Sequence, residues 1–358
     1  MDKKIDIIGH FGTTLSYATV GSRVARALRD ADLLGVVSNL DARWAPSMAD
    51  LANQPQAKSS RCIVFAGSRH YMDAFVSSYG AEHAAIFMSP NTDRLGKEYA
   101  ETCSKFGVAI VPSVWCQRVV MGSATPGRVS RLPLGVDESY FTDDLYNHDQ
   151  KVAWHFTTDQ ALPGRKGTYE LLQAWKLLKK SETRSKPPQW QLVVHAPLAV
   201  ATQLHYAAAD LDLTESVRIV SAERYGASDA GLSSLVHQAD MIIQPSRCEG
   251  FGMMMLAAVA ARVPLVTTAI TGQTDFLYDF PGWLGAPTDV PDRIAFEDGL
   301  APVVAPEALA RTLWAAMEAQ PEMVFTTGLT DRTAAQRRWE WSIVLRDWVE
   351  WAQAWVEE

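Results

Sequence analysis

The chain has 358 residues, of which 47% are hydrophobic and 21% charged, with a formal net charge of −8. These values fit an ordinary globular protein with room for two domains. The most apolar segment, 253–261, runs nine residues before Arg262 interrupts it, well short of the roughly 20 that a membrane-spanning helix needs.

The charge is unevenly placed. Residues 1–135 hold 15 Lys/Arg against 11 Asp/Glu, a net +4, and the remainder 18 against 30, a net −12.

Strand-like apolar runs open the chain at Ile5–Ile8, Leu33–Val37, Cys62–Phe65, Ala84–Met88 and Val108–Val111, with helical stretches such as Ser22–Arg29 between them. Short apolar runs separated by helices predict a parallel sheet. A polar stretch, LPLGVDESYFTDDLYNHDQ, follows and suits a linker. A second series then runs through Val152–Phe156, Gln191–Val194, Val217–Val220, Met241–Gln244 and Leu265–Thr267. The expectation is an α/β protein of two doubly wound domains in tandem. At the end, Trp341, Leu345, Trp348, Trp351 and Trp355 recur at helical spacing and predict a helix pinned by its aromatic stripe.

The N-terminus enters its first strand without an apolar leader, so no secretory signal is visible. Cys62, Cys103, Cys116 and Cys248 form neither a CxxC nor a zinc pattern. They read as reduced thiols of a cytoplasmic protein.

Two loops carry the chemistry. In open α/β sheets ligands sit beyond the carboxyl ends of strands, and the string SRCEGFGMMMLAAVA leaves such an end. Gly250 and Gly252 let the backbone approach a ligand, and the helix starting near Met253 offers unpaired N–H groups to an anion. The Glu249 carboxylate suits hydroxyls, so a sugar joined to a phosphate satisfies both halves of the loop. In PGRKGTYELLQAW, Arg165 and Lys166 stand at the start of another helix, a setting that favours a diphosphate. His10, His155 and His195 are expected at strand ends facing a cleft. Arg23, Arg26 and Arg29 lie three apart and predict a basic stripe on the first helix. The letters Asp210-Leu211-Asp212 match a metal-binding DxD but read as a helix end turning into a strand, and no metal is expected.

The string PSRCEGFGMMMLAAVAARVPLVTT resembles the donor-site signature of family 4 retaining glycosyltransferases. GHFGTTLSYATVGSRVARAL, TDRLG, VPSVWCQRVV, RLPLGVDESYF, RKGTYELLQAW and TGQTDFL occur in the family's order. The resemblance implies the GT-B fold, two Rossmann-like domains with an interdomain cleft. Residues 1–145, joined by a helix at about 338–358, would bind the acceptor, and residues 146–337 the nucleotide sugar. It further implies that Glu249 holds donor-sugar hydroxyls and that Arg165 and Lys166 stabilise the departing diphosphate. Gly250, Phe251, Gly252 and Met253 would line the donor, Gly12 would close on the phosphates, and His10 and Asp93 would contact acceptor or donor. A nucleotide sugar, expected to be UDP-linked, enters as co-substrate, with no permanently bound cofactor.

Three positions depart from the family pattern. Ala257 replaces the second glutamate expected to bind the ribose, Met254 replaces a proline, and Asn91 occupies a position often acidic. The acceptor stays open between a glycan, a lipid with peripheral membrane contact, and DNA bearing hydroxymethylated bases, the last as in phage-type enzymes. A noncatalytic nucleotide-sugar-binding protein, an epimerase or a phosphorylase are the alternatives of another class.

Overall fold

The computed structural model describes residues 3–11, 16–41, 43–52, 59–65, 75–141, 151–157, 164–181, 190–222, 229–280, 282–289, 292–293, 299–318 and 334–358. The chain divides into two compact units, Met1–Leu134 with Glu340–Glu358, and Gly135–Trp339.

The first unit runs β1 (Ile5–Gly9), α1 (Ser16–Asp30), β2 (Leu34–Asn39), β3 (Arg61–Phe65), β4 (Ala84–Phe87), α2 (Lys97–Cys103), β5 (Val108–Val111), α3 (Val114–Ser123) and β6 (Arg128–Arg131). Its six strands are all parallel, in the order β2-β1-β3-β4-β5-β6. Buried on both faces, the inner strands read as continuous apolar runs; β3, β4 and β5 contribute Cys62, Val64, Ala84, Ile86, Ala109 and Val111 to one core. One acidic side chain is built into this core. Asp6, 1% exposed on β1, accepts hydrogen bonds from Val36 N–H (2.7 Å), Ser59 N–H (3.1 Å) and the Tyr79 hydroxyl (2.7 Å). These bonds satisfy polar atoms that would otherwise be costly to bury. Burial, reinforced by that bond to Asp6, raises the Tyr79 pKa.

The second unit continues with β7 (Val152–Phe156), α4 (Thr168–Ser181), β8 (Gln191–Ala196), α5 (Leu198–Asp210), β9 (Val217–Ser221), α6 (Asp229–His237), β10 (Met241–Gln244), α7 (Met253–Ala260), β11 (Leu265–Thr267), α8 (Thr274–Leu277) and β12 (Trp283–Gly285). The two-residue strands β13 (Asp292–Arg293) and β14 (Leu300–Ala301) pair antiparallel, and α9 (Pro306–Glu318) and α10 (Ala334–Arg337) follow. The sheet order is β12-β11-β10-β7-β8-β9, every neighbouring pair parallel. The winding therefore reverses between β7 and β10, and the crevice at that reversal is where doubly wound sheets take their ligands.

The sequence predicted ten strands at these places, and all ten form. It did not predict β6 and β12, one edge strand of each sheet. Asp210 closes α5, and Asp212 adopts a left-handed conformation (φ 58°) in the turn before β9. The DxD letters thus belong to a helix end.

The final helix, α11 (Trp341–Glu357), packs inside the first unit. Trp341, Val344, Trp348, Ala352 and Trp355 form its buried face. The Trp348 ring lies 6.0 Å from Phe65 and 6.1 Å from Phe87, and its Nε1–H donates to the Pro133 carbonyl at 3.0 Å. A buried indole normally needs such a partner. Among the described residues no helix is long and apolar enough to cross a membrane.

Candidate donor site

The loop after β7 ends in Gly164–Gly167, and the loop after β10 is Pro245–Gly252; they leave the two strands that flank the reversal. They are tied directly to one another. The Arg247 N–H donates to the Arg165 carbonyl (2.8 Å), and the Arg165 guanidinium donates to the Cys248 carbonyl (3.1 Å). Gly167 makes this approach possible, because at φ +68° a Cβ there would lie on the Pro245 carbonyl.

Glu249 sits at the centre, 7% exposed. Its Oε1 accepts from Lys166 Nζ (2.6 Å) and Ser246 Oγ (2.8 Å), and its Oε2 from the Arg165 guanidinium (3.1 Å). Burial pushes the carboxyl pKa up, but the charges of Lys166 and Arg165 and the bonds from Lys166 and Ser246 outweigh it and hold the value at about 2. Glu249 is therefore ionised throughout the neutral range. Sequence reasoning gave the carboxylate to sugar hydroxyls and the cations to phosphate; the structure brings all three together as one buried ion cluster.

Polar residues that the sequence reading passed over orient this glutamate. Gln273, wholly buried, donates through Nε2 to the Thr268 carbonyl (3.0 Å) and accepts through Oε1 from Thr271 Oγ1 (2.8 Å). Thr271 Oγ1 in turn accepts from the Glu249 N–H (3.0 Å). Thr268 Oγ1 donates to the Ser246 carbonyl (2.6 Å), and Ser246 is the residue whose hydroxyl meets Glu249. A closed ring of hydrogen bonds thus fixes both the backbone and the carboxylate of Glu249. Thr271 holds its place in a left-handed conformation (φ 56°).

Gly252 (φ 93°) caps α7 without a side-chain hydrogen bond. The Met255 and Leu256 N–H groups turn to the Gly252 carbonyl, and those of Met253 and Met254 have no partner among the described residues. Such a helix start attracts anions. Phe251 is a wedge: buried, it packs at 5.4 Å from Phe276 and 5.7 Å from Trp339. Ala257 is buried in a helix whose residues from Met255 onward are all buried; the helix carries no carboxylate there for a ribose.

The histidines require a correction. His155 does not face a cleft. It is wholly buried inside β7, its Nδ1 at 2.7 Å from the Ile243 carbonyl and its Nε2 at 2.8 Å from Thr168 Oγ1. The carbonyl can only accept, so Nδ1 carries the proton and Nε2 accepts from the threonine. Burial first, and the nearby Lys166 charge, lower its pKa to about 4, against opposing hydrogen bonds. His195 is likewise buried, its ring 5.3 Å from Phe156. Beside them the Gln244 amide bridges to β7, accepting from Phe156 N–H (3.1 Å) and donating to its carbonyl (3.0 Å).

A pH effect follows from His155. Its folded pKa lies below the unfolded value of 6.5, so its contribution to stability is complete above pH 6.5 and is lost as the pH falls toward 4. At 1.36 kcal/mol per unit the loss is about 3 kcal/mol. Denaturant melts between pH 7 and 4 should show a slope that His155→Leu removes; an equal slope in both proteins would refute the assignment.

In the first unit, His10 follows β1, half-buried, with Nδ1 at 3.0 Å from Asp41 Oδ1. Asp93 is exposed beside Arg94. Gly12 lies outside the described residues. The expected basic stripe is not a free one: Arg26 and Arg29 both bond to Asp50 (2.7 and 3.0 Å), and Arg23 lies 5.9 Å from the Trp341 ring. Among the described residues no group of three or more His, Cys, Asp or Glu is placed to hold a metal.

Solved structures share this fold. The chain has the architecture of HepE from Anabaena, solved with UDP and glucose (TM-score 0.71, 14% identity, covering 98% of this chain and 100% of that one). It is also similar to sucrose-phosphate synthase from Thermosynechococcus elongatus (TM-score 0.69, 14% identity, 99% and 100%). A third is the UDP-forming α,α-trehalose-phosphate synthase from Burkholderia vietnamiensis (TM-score 0.66, 11% identity, 99% and 100%). The fold is GT-B. Residues 157–305, which include both loops of the site, match the family model of the group 1 glycosyl transferases. Fold and match define the class: the chain is a glycosyltransferase. No curated protein sequence matches it.

Proposed function

We propose that the protein transfers a hexose, with retention, from a nucleoside-diphosphate sugar to a hydroxyl acceptor, and that UDP is the nucleotide. The observation carrying this reading is the Glu249 cluster at the reversal of the second sheet, beside the glycine-opened start of α7. A carboxylate has about four acceptor positions, and Glu249 has three side-chain donors among the described residues. One position remains for a sugar hydroxyl. As the glycosidic C–O bond breaks, positive charge grows on the sugar and negative charge on the phosphate. Arg165, Lys166 and the Met253 amide stabilise the latter where it develops. Gly250 and Gly252 keep side chains out of the donor's path, and Phe251 wedges the loop.

His10 and Asp93 are the first unit's proposed contacts to acceptor or donor. The acceptor favoured is a glycan or lipid hydroxyl. The pairing of Arg26 and Arg29 with Asp50 weakens the case for DNA, which calls for a basic surface. Retention of the buried cations and carboxylate argues for chemistry over a noncatalytic binding role. The buried, reduced thiols of Cys62, Cys103, Cys116 and Cys248 support a cytoplasmic setting.

A thermal-shift panel of UDP, GDP, ADP and their hexoses tests the reading, since a ligand raises apparent stability by mass action. One nucleotide and its sugar should stabilise the protein by several degrees. No shift with any of them would overturn the donor site.

A further inference from the structure

We infer that Glu249 also acts against the spent nucleotide: it occupies Arg165 and Lys166 as their counter-ion and so favours the loaded donor over the bare diphosphate. This rests on the donor-site reading above. Both cations are already bonded to one carboxylate, at 3.1 Å and 2.6 Å, and all three side chains are about nine-tenths buried. An arriving anion therefore meets a cluster of net charge +1 and not +2, and must share the cations with Glu249. The carboxylate cannot swing away, since Ser246 holds its Oε1 and the ring through Thr268, Gln273 and Thr271 holds its backbone.

The two ligands feel this differently. In the intact donor the terminal phosphate oxygen is esterified to the sugar, and the sugar's hydroxyls can use the acceptor position left on Glu249. Transfer breaks the C1–O bond, the electron pair stays on the phosphate oxygen, the acceptor oxygen bonds to C1, and its proton passes to water. The diphosphate left behind carries one more negative charge, now beside a fixed carboxylate and with no hydroxyl to offer it. Glu249 thus helps retain substrate and expel product.

Calorimetry with UDP, UDP-glucose and inorganic pyrophosphate on wild type and Glu249→Gln tests this, with GDP and ADP measured alike. Removing one charge at contact distance should tighten the bare diphosphates about tenfold or more, and leave the nucleotide sugar unchanged or weaker. Diphosphate affinity that is unchanged or reduced by the substitution overturns the proposal alone. If no diphosphate binds either protein, the donor-site reading fails and takes the proposal with it. Should Glu249→Gln not fold, Lys166→Met/Glu249→Gln, which removes one charge of each sign, is compared with Lys166→Met. The double variant should bind pyrophosphate more tightly than the single one, and equal or weaker binding refutes the inference.

Discussion

Replacement of Glu249 by alanine is expected to lower both turnover and stability. The turnover loss should be on the order of 100-fold, the scale of removing one transition-state contact. The stability loss comes from leaving Arg165 and Lys166 buried, each 11% exposed in its side chain, without their counter-ion. Breaking a buried pair this way costs about 3–5 kcal/mol, or roughly 10 °C in melting temperature for a unit of this size. Acid provides an independent view of the same cluster. The Glu249 pKa is depressed from 4.5 to about 2, so its contribution is complete above pH 4.5 and is lost as the pH falls toward 2. That window lies below the one in which His155 becomes charged. Calorimetric melts across pH 7 to 2 should resolve two successive losses in the wild type, the lower of them smaller in Glu249→Ala, where the pairing of Asp50 with Arg26 and Arg29 is still lost in that range. Near wild-type turnover in that variant would sink the assignment of the site.

Gly272→Ala should be nearly as damaging to activity although Gly272 is named in no catalytic role. A Cβ on Gly272 would collide with the Gly250 carbonyl carbon and oxygen and press on the Glu249 carbonyl. These are backbone atoms, so the collision can be relieved only by moving one loop off the other. The Gly272 N–H bond to the Glu249 carbonyl (2.9 Å) would be strained by the same shift. A displacement near 1 Å at the reacting centre is worth about 100-fold in rate. The loss should appear chiefly in kcat, with the circular dichroism spectrum unchanged. Wild-type kinetics in Gly272→Ala would show that this contact does not set the position of Glu249.

The inner strands were legible because a parallel strand covered on both faces is built mostly of apolar residues, a polar one such as Asp6 entering only with its partners supplied. The edges β6, read as RVSR, and β12, read as WLG, have a neighbour on one side only, and their burial is incomplete throughout. Hydrophobicity therefore gave no sign of them. The site was legible where backbone demands glycine or charge must be concentrated, at Gly250, Gly252, Arg165, Lys166 and Glu249. The ring that orients Glu249 was not, because Ser246, Thr268, Thr271 and Gln273 are ordinary loop residues until β11 delivers the 268–274 turn beneath the β10 loop. A signal was present: His155, Gln244 and Thr267 are polar residues at or next to the ends of otherwise apolar strands, and each proved to be bonded inside the protein. His155 was misplaced because a strand-end histidine reads the same whether it meets a ligand or a threonine of its own fold.

The placement of α11 has a consequence for biosynthesis. The core of the first unit includes Trp348, the largest side chain between Phe65 and Phe87, yet that residue is made more than two hundred residues after them. During translation residues 135–339 can collapse around their own sheet as soon as they emerge, while the N-terminal sheet waits with its aromatic cavity open. The unit begun first is finished last, and its waiting surface is the one a nascent-chain chaperone would be needed to cover.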